Sequence, residues 1–430
     1  MKTISKLALA AVLATGVSGM ALSVPAMAKD KKEEAKGGLK LSPEVLKAAQ
    51  VAQPAIAAKD FATAEPALAQ IDAAAKTDDD KYIGAALRYD LEQQKLAAAQ
   101  AANPNAPINE TVLAGPLDVL IVNPSTPADM RGRYTYRRGA LAFNGKQYPV
   151  AIQYFQKAKA LGFTDPNLDL QIVKAKMESG DVKSGLADLD ASVTASTAAG
   201  QKAPEDFYRY AISKANAAKL KPETFAWLQK YAVAYPSPKT WRDVIVTFGL
   251  QQNGVVTLDE TQKIDLFRLM RQTKSLADQN DYLEYADSVN RRGLPSEAQA
   301  VLKEGMAAGK IPATNTMAKT LLADTGTAIR NDGPLSGLEK KAASNADGKL
   351  AAGTADAYLG QDNYAKAIEL YRLALSKGGV NADDVNLHLG IAQAKSGDKA
   401  GAATSFAAVK TTPRLETAQL WTAWMNAPAA

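Results

Sequence analysis

The sequence predicts an all-α chain, built as a solenoid of about ten helix hairpins and closed by one further helix. Three observations predict this. A pattern of small and aromatic residues returns about every 34 residues: Gly139, Tyr148, Ala151, Phe155, Ala158, then Ala355, Tyr364, Ala367, Tyr371, Ala374, then Gly390, Lys399, Ala402, Phe406, Val409, with the same offsets each time. A repeat of about 20–50 residues marks an architecture in which each unit buries its apolar face only by stacking on the next. The second observation is composition: stretches rich in Ala, Leu, Lys, Gln and Glu, broken at Gly, Pro and Asp. The third is that β-branched alternation of period two is scarce, which argues against strands.

Residues 1–28 read as a secretory signal peptide. Lys2 and Lys6 supply a basic start, Leu7 to Val24 an apolar stretch, and Ala26-Met27-Ala28 an A-x-A cleavage site, so the mature chain is expected to begin at Lys29. The stretch is too short and too poor in large side chains for a permanent span. Residues 29–41 are charged, glycine-bearing and without apolar period, and are expected to be a disordered linker.

Residues 42–128 read as degenerate helical hairpins. Ser42-Pro43-Glu44 opens the first helix, with proline in its first turn. Phe61, Ala64, Leu68 and Ile71 form a weak version of the repeat stripe. The proline-rich pieces 103–107 and 123–127 interrupt the pattern, and a joint is expected there. Residues 129–430 read as the more regular solenoid. In Tyr148–Ala158, offsets of zero, three, seven and ten place Tyr148, Ala151, Phe155 and Ala158 on one side of a helix. The aromatic is expected to fill the groove left by Gly139 on the partner helix, after a turn at Asn144-Gly145-Lys146. Val182, Gly185, Leu189, Ser192 and Pro295, Ala298, Leu302, Gly305 repeat the layout. Two further pairs show by their breaks: Pro204–Leu220 with Pro222–Tyr235, and Trp241–Gln251 with Leu258–Leu276. A cap helix over residues 415–425 closes the array, with Trp421 and Trp424 expected to seal its apolar end.

The 430 residues carry 51 Lys and Arg against 45 Asp and Glu. Removing Lys2 and Lys6 with the leader leaves 49 against 45, a net charge of about +4 that gives no warrant for nucleic-acid binding. There is no cysteine, which excludes disulfides, thiolate metal sites, cysteine nucleophiles and a cysteine-linked lipid anchor.

The unit from Asp383 to Thr412 resembles the tetratricopeptide repeat family: Leu389-Gly390 matches its Leu-Gly pair, Ala402 its small residue, Phe406 its aromatic, and Pro413 lies near its closing proline. The units at 132–165 and 348–382 follow, although Thr135 and Asn386 stand where the family carries an early tryptophan. The resemblance implies a right-handed superhelix of antiparallel helix pairs. Its concave surface, lined by the first helix of each pair, would bind extended or helical segments of partner proteins. It places Arg133, Tyr136, Arg137, Phe143 and Asn144 on a groove-lining face. Arginine beside tyrosine suits carboxylates or an acidic peptide, through forked hydrogen bonds and stacking. The alternative is a solvated basic face whose arginines pair with neighbouring acids.

Other chemistry-bearing residues read as structural. His388, the single histidine, is expected to pack on a helix face. Glu178-Ser179-Gly180 reads as a turn, and Asp78-Asp79-Asp80 as an acidic helix start. No phosphate loop, dinucleotide fingerprint or zinc spacing is present. The expected function is a non-catalytic periplasmic scaffold that binds protein partners in its concave groove and needs no cofactor. The alternative is a carrier of small envelope ligands, peptide or oligosaccharide. An enzyme of envelope carbohydrates would need paired carboxylates with shifted pKa values, and no such pair is visible in the sequence.

Overall fold

The computed structural model describes residues 38–105, 107–165 and 167–427, and the expected leader and residues 29–37 lie outside them. Among the described residues the chain is helical throughout, with no strand. None of its helices is long and apolar enough to cross a membrane. The chain forms two compact units that divide between Asp188 and Leu189.

In the first unit, α1 (Pro43–Ala57) and α2 (Phe61–Ala74) make a hairpin packed on the long α3 (Asp78–Ala102). A 3₁₀ turn (Glu110–Leu113) leads into α4 (Ala114–Val122), then α5 (Ala128–Asn144), α6 (Tyr148–Ala160), α7 (Leu168–Glu178) and the start of α8 (Val182–Ala198). The acidic run opens α3 as expected. Thr77 and Asp80 form a reciprocal capping box. Asp80 also accepts from the backbone N–H and hydroxyl of Ser42, each at 2.9 Å, tying the start of α1 to the start of α3. Burial opposes its charge, yet hydrogen bonds from Ser42, Thr77 and Lys76 hold its carboxyl well below the usual range. The end of the expected disordered linker is fastened in the same place. The backbone N–H of Lys40 donates to Asp79 at 2.7 Å, and Leu39 and Leu41 pack against the core of α1–α3. Two leucines flanking one lysine supply enough apolar area to hold this stretch.

The second unit runs from α9 (Glu205–Ala217) and α10 (Lys221–Ala234) through α11 (Pro238–Ile245), a π-helical turn (Val246–Leu250) and α12 (Glu260–Gln272). It continues with α13 (Gln279–Arg291), α14 (Pro295–Ala307), α15 (Thr316–Asp332), α16 (Ser336–Ser344), α17 (Lys349–Gly360), α18 (Tyr364–Lys377), α19 (Ala382–Ser396), α20 (Lys399–Ala408) and α21 (Arg414–Asn426). The strongest hairpins are α9/α10, α13/α14, α17/α18 and α19/α20.

The repeat pattern works as close packing between paired helices. A Cβ on Gly139 would lie 2.7 Å from Phe155 Cδ1, and one on Gly390 would lie 2.5 Å from Phe406 Cδ1. The aromatic ring therefore occupies the space the glycine leaves. Gly390→Ala should cost about 1–3 kcal/mol through overpacking, measured by denaturant unfolding. An unchanged midpoint would show that the ring can retreat freely.

Two elements depart from a simple array. Residues 258–276 are expected to pair with 241–251, but α12 is buried nearly all round: Ile264, Asp265, Leu266, Phe267, Arg268, Leu269 and Met270 are all buried in succession. A helix enclosed on every side is a core element rather than half of a surface hairpin. Its short predecessor α11 ends in the π-turn, and a loop separates the two. The cap helix α21 packs on α19 and α20 as expected, and also reaches α10 and α12. Trp421 is fully buried there and Trp424 is half-buried.

Candidate functional site

The basic face of α5 is largely neutralised by the segment that precedes it. Arg137 Nη2 donates to Glu110 Oε1 at 2.7 Å, and Asn144 Nδ2 donates to the other oxygen of the same carboxylate at 3.2 Å. Arg138 grips Asp118 with Nε at 2.8 Å and Nη2 at 3.3 Å, and its guanidinium lies 5.1 Å from the centre of the Tyr154 ring. Arg131 donates to the backbone carbonyls of Asn123 and Thr126, both at 3.1 Å. Tyr136 stacks on Phe163 at 4.9 Å and leans on Phe155 at 5.5 Å, and burial pushes its hydroxyl pKa up. Phe143 meets Tyr148 edge-on at 5.5 Å. Arg133 is exposed. Five residues expected to share a partner-facing surface thus divide. Arg137 and Asn144 converge on Glu110, Tyr136 and Phe143 join the apolar contact with α6, and Arg133 lies on the outside.

A polar cleft lies in the second unit. Arg209, Ser213 and Asn216 recur at four- and three-residue steps on α9, so they form one ladder. Arg242, Asp243 and Thr247 face it from α11 and the π-turn, with Gln251 beyond, so the wall carries one carboxylate beside its arginine. Leu228 and Tyr231 of α10 line the same cleft, whose volume is about 500 Å³. Of its arginines, Arg209 is loosely held and Arg242 is held by one hydrogen bond. Arg209 Nη1 is 3.9 Å from the exposed Glu205 one turn away, and Arg242 Nη2 is 3.2 Å from Asp281. Neither pair is bidentate, so both guanidinium groups keep donors free to orient on a ligand.

A third cluster surrounds α12, and the sequence reading missed it. Arg268 forks onto Glu297, with Nε–Oε1 at 2.9 Å and Nη2–Oε2 at 2.8 Å, and donates to Asp265 at 3.2 Å. His388 lies between two carboxylates, Nε2 at 3.0 Å from Asp265 and Nδ1 at 2.8 Å from Asp356. Tyr285 donates to Glu297 and Tyr371 to Asp356, each at 2.6 Å. Burial disfavours a charged imidazole, but Asp265 and Asp356 outweigh it and raise the His388 pKa to about 10. Burial likewise works against Glu297 and Asp356, yet Arg268 and His388 respectively hold both carboxyls below their ordinary values. His388 and Arg268 therefore stay ionised together with Glu297 and Asp356. Arg268, Asp265 and Glu297 are almost wholly enclosed, and their charges face one another rather than a cleft. This arrangement fastens α12 to α14, α17 and α19.

No family model matches the chain, and no curated protein matches it. Among solved structures it is similar to the maize pentatricopeptide repeat protein PPR10, at 13% identity over 87% of this chain and 59% of that one, with a TM-score of 0.28. It is also similar to the TPR2AB domain of yeast Sti1, solved in a pHSP90 complex, at 13% identity over 68% and 98% of the two chains and a TM-score of 0.23. The structure of Naa15/Naa10 bound to HypK shows 14% identity over 86% and 58%, with a TM-score of 0.28. The chain spans 59% of the length of the maize protein. Its own helix order and packing show successive helix hairpins within each unit.

Proposed function

We propose that this chain is a non-catalytic scaffold of the bacterial periplasm that binds an extended, carboxylate-bearing segment of a partner protein. The observation that supports it is the ladder of Arg209, Ser213 and Asn216 facing Arg242 and Thr247 across the α9–α11 cleft. Guanidinium groups with free donors recognise carboxylates, while serine, threonine and asparagine side chains can satisfy a peptide backbone. Periplasmic placement rests on the basic start, apolar stretch and Ala26-Met27-Ala28 site of residues 1–28. The α5 face supports this reading less, because Glu110 and Asp118 already occupy Arg137 and Arg138.

The test is crosslinking in the native periplasm followed by identification of what co-purifies. Arg209→Glu/Arg242→Glu should lose a defined envelope protein that wild type retains, with about a tenfold or greater fall in affinity on reconstitution. The same partners should survive Arg133→Glu. Retention of every partner by the cleft variant would sink the proposal. Loss with Arg133→Glu instead would move the surface to α5.

A further inference from the structure

A second cleft in the second unit has different chemistry. It opens where the start of α11, the end of α12, the start of α20 and the end of α21 converge, with a volume of about 400 Å³. Trp241 and Trp424 line it, together with Gln272, Lys274 and Lys399. No aspartate or glutamate is among its lining residues. The carboxylates adjacent in sequence are committed elsewhere. Asp398 accepts from the backbone N–H of Gly401 at 2.9 Å, and Asp278 accepts from that of Asn280 at 2.8 Å, each as a helix cap. Lys399 Nζ donates to the Met425 carbonyl at 3.5 Å, its one hydrogen bond among the described residues. Among the described residues, the side chains of Lys274 and Gln272 make no hydrogen bond or ion pair.

We propose that this cleft binds a short saccharide carrying a carboxylate. Each requirement of such a ligand has a counterpart. A pyranose ring presents a face of C–H bonds, which lies well on an indole, and Trp424 is half-buried with part of its surface open. Its hydroxyl edge needs partners that both donate and accept, as the unengaged Gln272 amide does. A carboxylate needs cations not already paired, and Lys274 and Lys399 supply two. The volume is within the range of small-ligand sites and suits one or two rings. Simple anion capture by the lysines would make no use of Trp424, and a neutral sugar would leave the lysines without a role.

The experiment titrates the full protein with cellobiouronic acid, neutral cellobiose and acetate, following tryptophan fluorescence and thermal midpoint. Cellobiouronic acid should give a saturable fluorescence change and a raised midpoint, since a ligand bound only by the folded state stabilises it. Cellobiose and acetate should each bind at least about tenfold more weakly. Lys274→Glu/Lys399→Glu should lose at least about tenfold in affinity for the acid while keeping its helical circular dichroism. Trp424→Phe, which keeps an aromatic face, should retain more affinity than Trp424→Ala. The proposal is overturned if the acid produces no saturable change in wild type, if the charge-reversed variant binds it as wild type does, or if cellobiose or acetate binds equally well.

Discussion

Arg268→Met should destabilise the second unit by about 3–5 kcal/mol, the typical cost of removing one partner from a buried ionic group. Its guanidinium is shared by Glu297 and Asp265, and both are almost wholly buried. Without it two carboxylates face each other's field with only His388 on Asp265 and Tyr285 on Glu297 left to compensate. The loss should appear as faster amide exchange through α12, α13 and α14, with α1–α3 unchanged. A second variant separates loss of charge pairing from loss of packing. Arg268→Met with Glu297→Leu and Asp265→Leu should recover most of the deficit, because replacing a buried ionic group entirely by apolar residues is often neutral or better. A single substitution that costs less than about 1 kcal/mol would mean that solvent reaches the cluster and screens it.

Raising the pH should weaken the second unit through His388. The imidazole's folded-state pKa is raised from the ordinary 6.5 to about 10 by Asp265 and Asp356. A group that binds its proton more tightly when folded contributes its full stability below the unfolded value and loses it as pH rises through the folded one. The decline should therefore run from about pH 6.5 to about pH 10. The full shift corresponds to at most about 5 kcal/mol, and the partly exposed side of Asp356, at 22%, lowers what is realised. Glu297 and Asp356 work in the opposite sense. Their lowered pKa values give stability that is whole above their ordinary values of 4.5 and 3.8 and fades on acidification. Stability should thus be flat between about pH 4.5 and 6.5 and fall on both sides. Denaturant unfolding at pH 6 and pH 9.5, in wild type and His388→Gln, checks this. Subtracting the variant removes other alkaline titrations, including that of Lys395, whose pKa burial lowers. Parallel curves for the two proteins would overturn the assignment.

What was legible in the sequence is what repeats locally. Gly139 with Phe155 and Gly390 with Phe406 sit within one hairpin, so a fixed offset exposes the contact between them. The acidic start of α3 and the turn at Ser179-Gly180, where Gly180 takes φ +97°, are likewise short-range events. The α12 cluster is not, because Asp265 and Arg268 meet Glu297, Asp356 and His388 only through the stacking of later hairpins. A lone histidine and a scatter of acids carry no period that would bring them together on paper. The arginines of α5 were legible as a cluster, but their partners Glu110 and Asp118 lie on the preceding turn and helix. The cleft ladder on α9 could have been found as Arg209, Ser213 and Asn216 along one face. Its opposite wall depends on how α11 and the π-turn are set, which no spacing reveals.

The reach of α21 back to α10 and α12 bears on how the protein is made. In a linear array each repeat can mature as soon as its neighbour exists, so a nascent chain gains structure stepwise. Here residues 414–426 supply buried surface to α12 and to α10, the latter synthesised almost two hundred residues earlier. The second unit must wait for them, as any architecture dominated by distant contacts waits for loop closure. A polypeptide cut short before Arg414 would leave α10 and α12 with uncovered apolar faces, and quality-control proteases would see it as unfinished. Synthesis must therefore pass α21 before the second unit can close.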